Sequence, residues 1–349
     1  MFTIQRLIVF LLFFSIASNS YAQLGGKSTF QFLNLVSSAR PAALGGNAIA
    51  TRADDVTLVW QNPSQLQYSM DKQLALSYVG YVADIKFGDV AYAYSLGKLG
   101  MYATTFHFVS YGSFDRTDET STVIGSYKSG EYALALSWSK ALDSSLFIGA
   151  SFKGILSDLG DYTSNGVAAD IGLTWTNSDK LVCATLVAKN IGTQLKKYVD
   201  GDREPLPFEI QAGISTQLKN APFRFSLIGQ QLQKFDLTYQ DPLKSGVDPL
   251  TGETKSEDIS FTKKLVRHII VNVEILFTKN FNVRLGYNFL RRNELGFPDK
   301  KGLSGITGGF GFKVNKFNLS YARSVFNTAG GSNHFTITTS LSSFKKQKN

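Results

Sequence analysis

The ten residues Glu131-Tyr132-Ala133-Leu134-Ala135-Leu136-Ser137-Trp138-Ser139-Lys140 place bulky apolar side chains at every second position, with alanine and serine between them. A period of two is that of a β-strand, whose successive side chains point to opposite faces. The stretch 167–176 repeats the pattern, with Val167, Ala169, Ile171, Leu173 and Trp175 on one face and Ala168, Asp170, Gly172, Thr174 and Thr176 on the other. It recurs at 208–218, at 269–277 with Asn272 and Glu274 on the opposite face, and at 306–314, 317–325 and 335–341. Segments of about ten residues, weakly patterned one by one and separated by turn residues, are the signature of a membrane β-barrel.

A soluble sandwich or propeller also alternates, so alternation alone leaves the solvent open. The spacing of the segments discriminates. Strands are expected at 73–82, 87–96, 99–110, 131–140, 146–155, 165–177, 180–191, 207–218, 223–231, 265–278, 281–289, 304–315, 317–325 and 332–341. Tight links fall at Gly97-Lys98, Asp143-Ser144, Ser178-Asp179, Asn220-Ala221, Lys279-Asn280 and Lys316, and long ones at 112–130, 156–164, 192–206, 232–264 and 290–303. Short periplasmic turns opposite long external loops are how outer-membrane barrels are built. The expected fold is therefore all-β, a transmembrane antiparallel barrel of about 14 strands spanning 71–344, with its long loops external and a basic periplasmic tail at 345–349.

Composition agrees. Aromatic residues make up 13% of the chain, with 31 glycines and 8 prolines. Membrane barrels use aromatics as interfacial girdles and glycine where strands bend or approach closely. The single cysteine, Cys183, excludes an internal disulfide, and no stretch beyond the N-terminus is long and apolar enough for a transmembrane helix. The formal charge is +9, one unit of it from Arg6. The lysines and arginines lie mostly between strands and form no basic-aromatic face, which argues against nucleic acid and for contact with anionic lipopolysaccharide or an acidic partner.

Residues 1–22 read as a secretory signal peptide, with Arg6 in the n-region, an apolar run from Leu7 to Ile16, and Ser20-Tyr21-Ala22 as a small-x-small cleavage site. A signal anchor is the bland alternative, but the run is short for one. Residues 23–70 differ from the barrel in character. Ser38-Ala39-Arg40-Pro41-Ala42-Ala43-Leu44-Gly45-Gly46 is built of small residues that permit close backbone approach, as expected of an N-terminal plug segment lying inside or under a barrel. Asp54 and Asp55 precede Val56-Thr57-Leu58-Val59-Trp60, and Asn62-Pro63 follow, which suggests a short helix capped by a carboxylate and stopped by the proline.

These residues carry a resemblance. Ala39-Arg40-x-Ala42-Ala43-Leu44-Gly45-Gly46, then Ala53-Asp54-Asp55, then Asn62-Pro63-Ser64 resemble the N-terminal signature of the FadL-like barrels, in particular the PorV/PorQ family of Bacteroidetes. Gly25-Gly26-Lys27-Ser28-Thr29-Phe30-Gln31-Phe32-Leu33-Asn34-Leu35 and the overall length resemble its PorQ branch. Ser64 departs from the pattern, which commonly has alanine there. The resemblance implies an outer-membrane component of the type IX secretion system that holds a surface partner, PorZ-like, in the attachment complex with PorU and PorV. It offers no catalytic residue and no cofactor to carry over; Arg40, Gly45, Gly46, Asp54, Asp55, Asn62 and Pro63 are its structural motif.

The remaining constellations are weak. His107, His268 and His334 lie on polar strand faces without a neighbouring acidic residue to orient them, so ordinary imidazoles facing a wet lumen are expected rather than a lipid hydrolase. Asp54-Asp55 lacks the further oxygen ligands of a cation site, and Asp158-Leu159-Gly160-Asp161 lacks the spacing of a calcium loop. The longest loop, 232–264, carries Asp241, Lys244, Asp248, Lys255, Lys263 and Lys264, the candidate partner-binding residues, since a loop over thirty residues long is uncommon without a function. The alternative function is a FadL-type transporter or pore. A greasy conduit needs an apolar lumen, whereas parity points Asp170, Glu209, Gln211, Asn272, Glu274, Arg284, Asn288 and Lys313 inward.

Overall fold

A computed structural model describes residues 28–238, 260–295, 302–327 and 330–344. The expected signal peptide, the basic tail and Asp241, Lys244, Asp248 and Lys255 lie outside these residues. Fourteen antiparallel strands form a closed ring in which each strand pairs with its sequence neighbours and the last returns to the first. They are β1 Gln73–Gly80, β2 Lys86–Ser95, β3 Met101–Thr117, β4 Val123–Ala141, β5 Leu146–Leu159, β6 Tyr162–Thr176, β7 Val182–Lys196, β8 Glu209–Gln217, β9 Phe223–Gly229, β10 Ile269–Ile275, β11 Phe281–Asn288, β12 Ile306–Val314, β13 Phe317–Asn327 and β14 Gly330–Ser340. The seam runs from Gln73 opposite Ser340 to Gly80 opposite Asn333.

The wall is inside out relative to a soluble protein. In β4, Leu134 is 49% exposed while its neighbour Ala135 is 2% exposed, and Leu173, Leu186, Phe225, Leu285 and Phe335 face outward in the same way. The inward residues are polar or small, among them Thr105, Ser137, Asp170, Thr185, Ser226, Asn272 and Thr336. An apolar belt facing outward is stable in hydrocarbon, and the protein is read as a membrane-spanning barrel. Stacked aromatic pairs lie close to the short turns, Tyr94 with Tyr102, Phe223 with Phe225 and Phe277 with Phe281, at centroid distances of 5.8, 6.1 and 5.8 Å.

Two expected long loops are largely strand. β3 and β4, of 17 and 19 residues, continue through most of 112–130 as a ribbon, and β5 and β6 meet at Gly160-Asp161. A tilted strand crosses hydrocarbon in roughly 9–11 residues, so the rest of β3 and β4 stands beyond the apolar belt. There both faces meet water and the period-two contrast disappears, which is why 112–130 reads as a loop. The long-loop side is thus shorter in loops and taller in strands than the spacing suggested.

Residues 28–70 pack against the inward faces of strands around the ring. The Ala39 N–H donates to Thr336 Oγ1 of β14 (2.9 Å), and the Gly45 N–H to Thr307 Oγ1 of β12 (2.9 Å). Asn288 of β11 donates to the Gly45 carbonyl (3.1 Å), Ser215 of β8 to the Ala50 carbonyl (2.7 Å), and Ser37 to Asp89 of β2 (2.5 Å). Close approach rests on glycines in the wall. A Cβ at Gly286 would lie 2.1 Å from the Gly45 nitrogen, one at Gly309 2.8 Å from Ala43, and one at Gly149 2.4 Å from the Ser64 nitrogen.

Gly286→Ala should therefore cost about 1–3 kcal/mol of overpacking. Limited proteolysis at Arg40 or Arg52 should rise while the wall keeps its heat-modifiable gel mobility. Gly154→Ala, where a Cβ meets nothing within 4 Å, should change neither; equal effects of the two would refute the contact.

Candidate functional site

The signature residues of the N-terminal segment meet in two polar clusters. In the first, Val56–Trp60 is a 3-10 helix whose N-cap is Asp55, accepting from the Thr57 N–H (3.1 Å) and hydroxyl (2.7 Å). Asp54 instead accepts from Ser69. Proline does not end this helix; Gln61 does, and Pro63 opens the next turn, Pro63–Gln65, capped by Asn62. Proline favours a first helical position because its missing N–H is not needed there. Asn62 is fully buried: its amide donates to the Ile49 carbonyl (3.0 Å) and Thr185 Oγ1 (2.8 Å), and its oxygen accepts from Ser64 N–H (3.0 Å) and hydroxyl (2.6 Å). Ser64 also shares a bond with Thr174 (2.7 Å), so this serine is built into the contact with β6.

The second cluster is ionic. Glu274 on β10, 1% exposed, holds Arg284 of β11 (2.8 Å) and Arg224 of β9 (2.6 Å), with Arg40 at 3.8 Å; Arg40 also pairs with Asp55 (3.1 Å). Burial pulls the Arg40 guanidinium down, but the carboxylates of Glu274, Asp55 and Asp54 outweigh it and hold its pKa above the ordinary value. Parity puts Glu274 and Arg284 inward; the link to Arg40 is invisible in the sequence because the long stretch of chain between Arg40 and Glu274 says nothing of packing.

Polar cavities lie toward the two ends of the barrel. One, about 270 Å³, is lined by Arg40, Asp54, Asp55, Lys279, Arg284 and Lys313 near the short turns. The other, about 210 Å³, is lined by Asn47, Trp60, Lys189, Glu209, Gln211 and Arg291, among others, on the long-loop side. Larger apolar hollows, of about 660 and 740 Å³, lie on the lipid-facing side of β11–β14.

The inward histidines are buried, not bathed in a wet lumen. His107 stacks between Trp60 (4.8 Å) and Phe32 (6.0 Å), and His268 sits between the carbonyls of Gln230 (2.8 Å) and Phe235 (3.1 Å). Ser332 Oγ lies 2.7 Å from His334 Nε2, but Ser332 is fully buried and the other ring nitrogen faces the Ser37 carbonyl, not a carboxylate. Among the loop candidates, Lys263 and Lys264 fall in the helix Phe261–Val266, and Lys264 pairs with Asp236 (2.7 Å). Hydrogen bonds from Lys264 and Thr238 hold the Asp236 carboxyl below the usual carboxylate range. Asp161, in the stretch that lacks calcium-loop spacing, binds Arg116 (2.5 Å), bracing the β3–β4 ribbon against the β5–β6 turn.

No protein-family model matches the chain, and no curated protein matches it in sequence. Among solved structures it is similar to the toluene transporter TodX of Pseudomonas putida, at 12% identity over 86% of this chain and 96% of that one, with a TM-score of 0.49. A FadL homologue of Pseudomonas aeruginosa aligns at 10% identity over 87% and 98%, with a TM-score of 0.46. The toluene transporter TbuX of Ralstonia pickettii aligns at 12% identity over 86% and 96%, with a TM-score of 0.45.

The ionic cluster makes a quantitative prediction. Glu274→Gln leaves Arg40, Arg224 and Arg284 crowded together and should cost about 3–5 kcal/mol, the usual penalty for breaking a buried pair from one side. Urea midpoints in detergent measure it. Replacing Glu274 and Arg284 together by methionine should restore part of the loss.

Proposed function

We propose that this protein is a non-conducting outer-membrane barrel that anchors a surface protein, the role implied by the resemblance of its N-terminal signature to the PorV/PorQ family. On this reading it serves the type IX secretion system and holds a PorZ-like partner in the attachment complex with PorU and PorV. The single observation that supports it is the occupied interior: the segment 28–70 bonds to strands around the ring, and the cavities described toward its two ends are polar. A transporter of hydrophobic molecules needs a continuous apolar path, and the inward face offers Glu274, Arg284, Lys153 and Asp170 instead.

The partner would dock on the β3–β4 ribbon. From Gly112 to Thr117 β3 has no ladder to β2, and from Val123 to Lys128 β4 has none to β5, so among the described residues the outer part of the ribbon offers unpaired strand edges to an added strand. Phe114, Val123 and Ile124 are exposed there.

Deletion of the gene followed by fractionation tests the reading. The expected result is release of a surface protein into the medium with fatty-acid uptake unchanged. Retention of all surface proteins together with lost uptake would establish the transporter instead. Replacing 113–127 by a tight turn should leave a heat-modifiable barrel that retains the partner poorly; full retention would move the contact elsewhere.

A further inference from the structure

The cavity of about 210 Å³ on the long-loop side is a cup whose floor is Trp60 and Asn47 and whose rim includes the exposed Asn34 and Glu294. It holds groups whose hydrogen-bonding capacity is unspent. Lys189 and Glu209 face each other as register partners across β7 and β8, and both are buried, at 5% and 8% exposure. Directly opposed opposite charges ordinarily pair. Here no ion pair joins them among the described residues; Glu209 accepts from the Gln231 N–H (3.1 Å) through one oxygen. The Trp60 indole N–H and the Gln211 amide oxygen, both buried, likewise have no partner among the described residues. Buried polar groups are seldom left so.

The four groups form a complementary set: an ammonium and a neutral donor, a carboxylate and a neutral acceptor. Arg291 and Glu294 also line the cup, make interactions of their own and add no net charge. The set matches a solute carrying one charge of each sign. At about 30 Å³ per water, the cup holds a solute of roughly seven non-hydrogen atoms. We propose that the cup binds a small zwitterion of the α-amino acid class, its carboxylate on Lys189 and the Trp60 indole, its ammonium on Glu209 and the Gln211 oxygen. This site is independent of the anchoring role, and either can fail without the other.

Trp60 is also the reporter. The other two tryptophans, Trp138 and Trp175, lie on the outward face, so a barrel carrying Trp138→Phe and Trp175→Phe emits from Trp60 alone. Glycine, L-alanine and L-serine, titrated to about 10 mM into this purified barrel in detergent, should shift its emission saturably, with affinity in a range that weak small-solute sites reach. Glu209→Gln and Lys189→Met should each weaken binding at least about tenfold, the loss expected of one charge-assisted hydrogen bond. Acetate, ethylamine and glycerol, which carry one charge or none, should not compete. No saturable shift with any amino acid would overturn the proposal, leaving a merely hydrated cup. So would glycerol binding as well as glycine. Both readings come from the otherwise unaltered barrel, so they stand even if a charge variant fails to fold.

Discussion

A peptide group facing hydrocarbon has no water to bond with, and each one left unsatisfied costs several kcal/mol. The wall of this protein meets that constraint by closing. β14 runs antiparallel to β1 from Gln73 opposite Ser340 to Gly80 opposite Asn333, so the ring has no edge within the membrane. Antiparallel closure of neighbours requires an even number of strands, and lipid outside demands apolar side chains there. The polar residues are thereby driven inward, where something must satisfy them.

The segment 28–70 does so. Its backbone offers carbonyls and N–H groups to Thr307, Asn272, Asn288 and Ser215, which turn from liabilities into docking points. The match is steric as much as polar. Ala43, Gly45 and Ser64 lie where Gly309, Gly286 and Gly149 have no side chain. Ionic groups follow the same rule: Glu274 is tolerable at 1% exposure because three guanidinium groups surround it, and one of them, Arg40, arrives with the segment.

What was legible in the sequence follows the same physics. Strand cores were readable wherever one face meets lipid and the other does not, as in 131–140. The extensions of β3 to β6 were not, because beyond the lipid the two faces differ little. The carboxylate cap was foreseen, but the choice of Asp55 over Asp54 depends on which one reaches Thr57. Small residues at 38–46 announced close packing; their glycine counterparts, scattered over β5, β11 and β12, carried no signal of where they would meet. The long-loop cavity was the least visible, since Trp60 lies far along the chain from the neighbouring strands that carry Lys189 and Gln211. Parity indicated that Glu209 and Gln211 point inward, and the geometry alone indicates that they converge with Trp60.

Thr336 lies where the beginning, the first strand and the last strand of the described chain converge. Its hydroxyl accepts from the Ala39 N–H and shares a bond with Ser77 across the β1–β14 seam. The seam cannot part without loosening the interior, nor can the interior shift without tugging the seam. A chain lacking β14 would lose one fastening of its early residues as well as the closure of its wall. Closing the ring and seating the interior segment are thus tied to each other at this side chain.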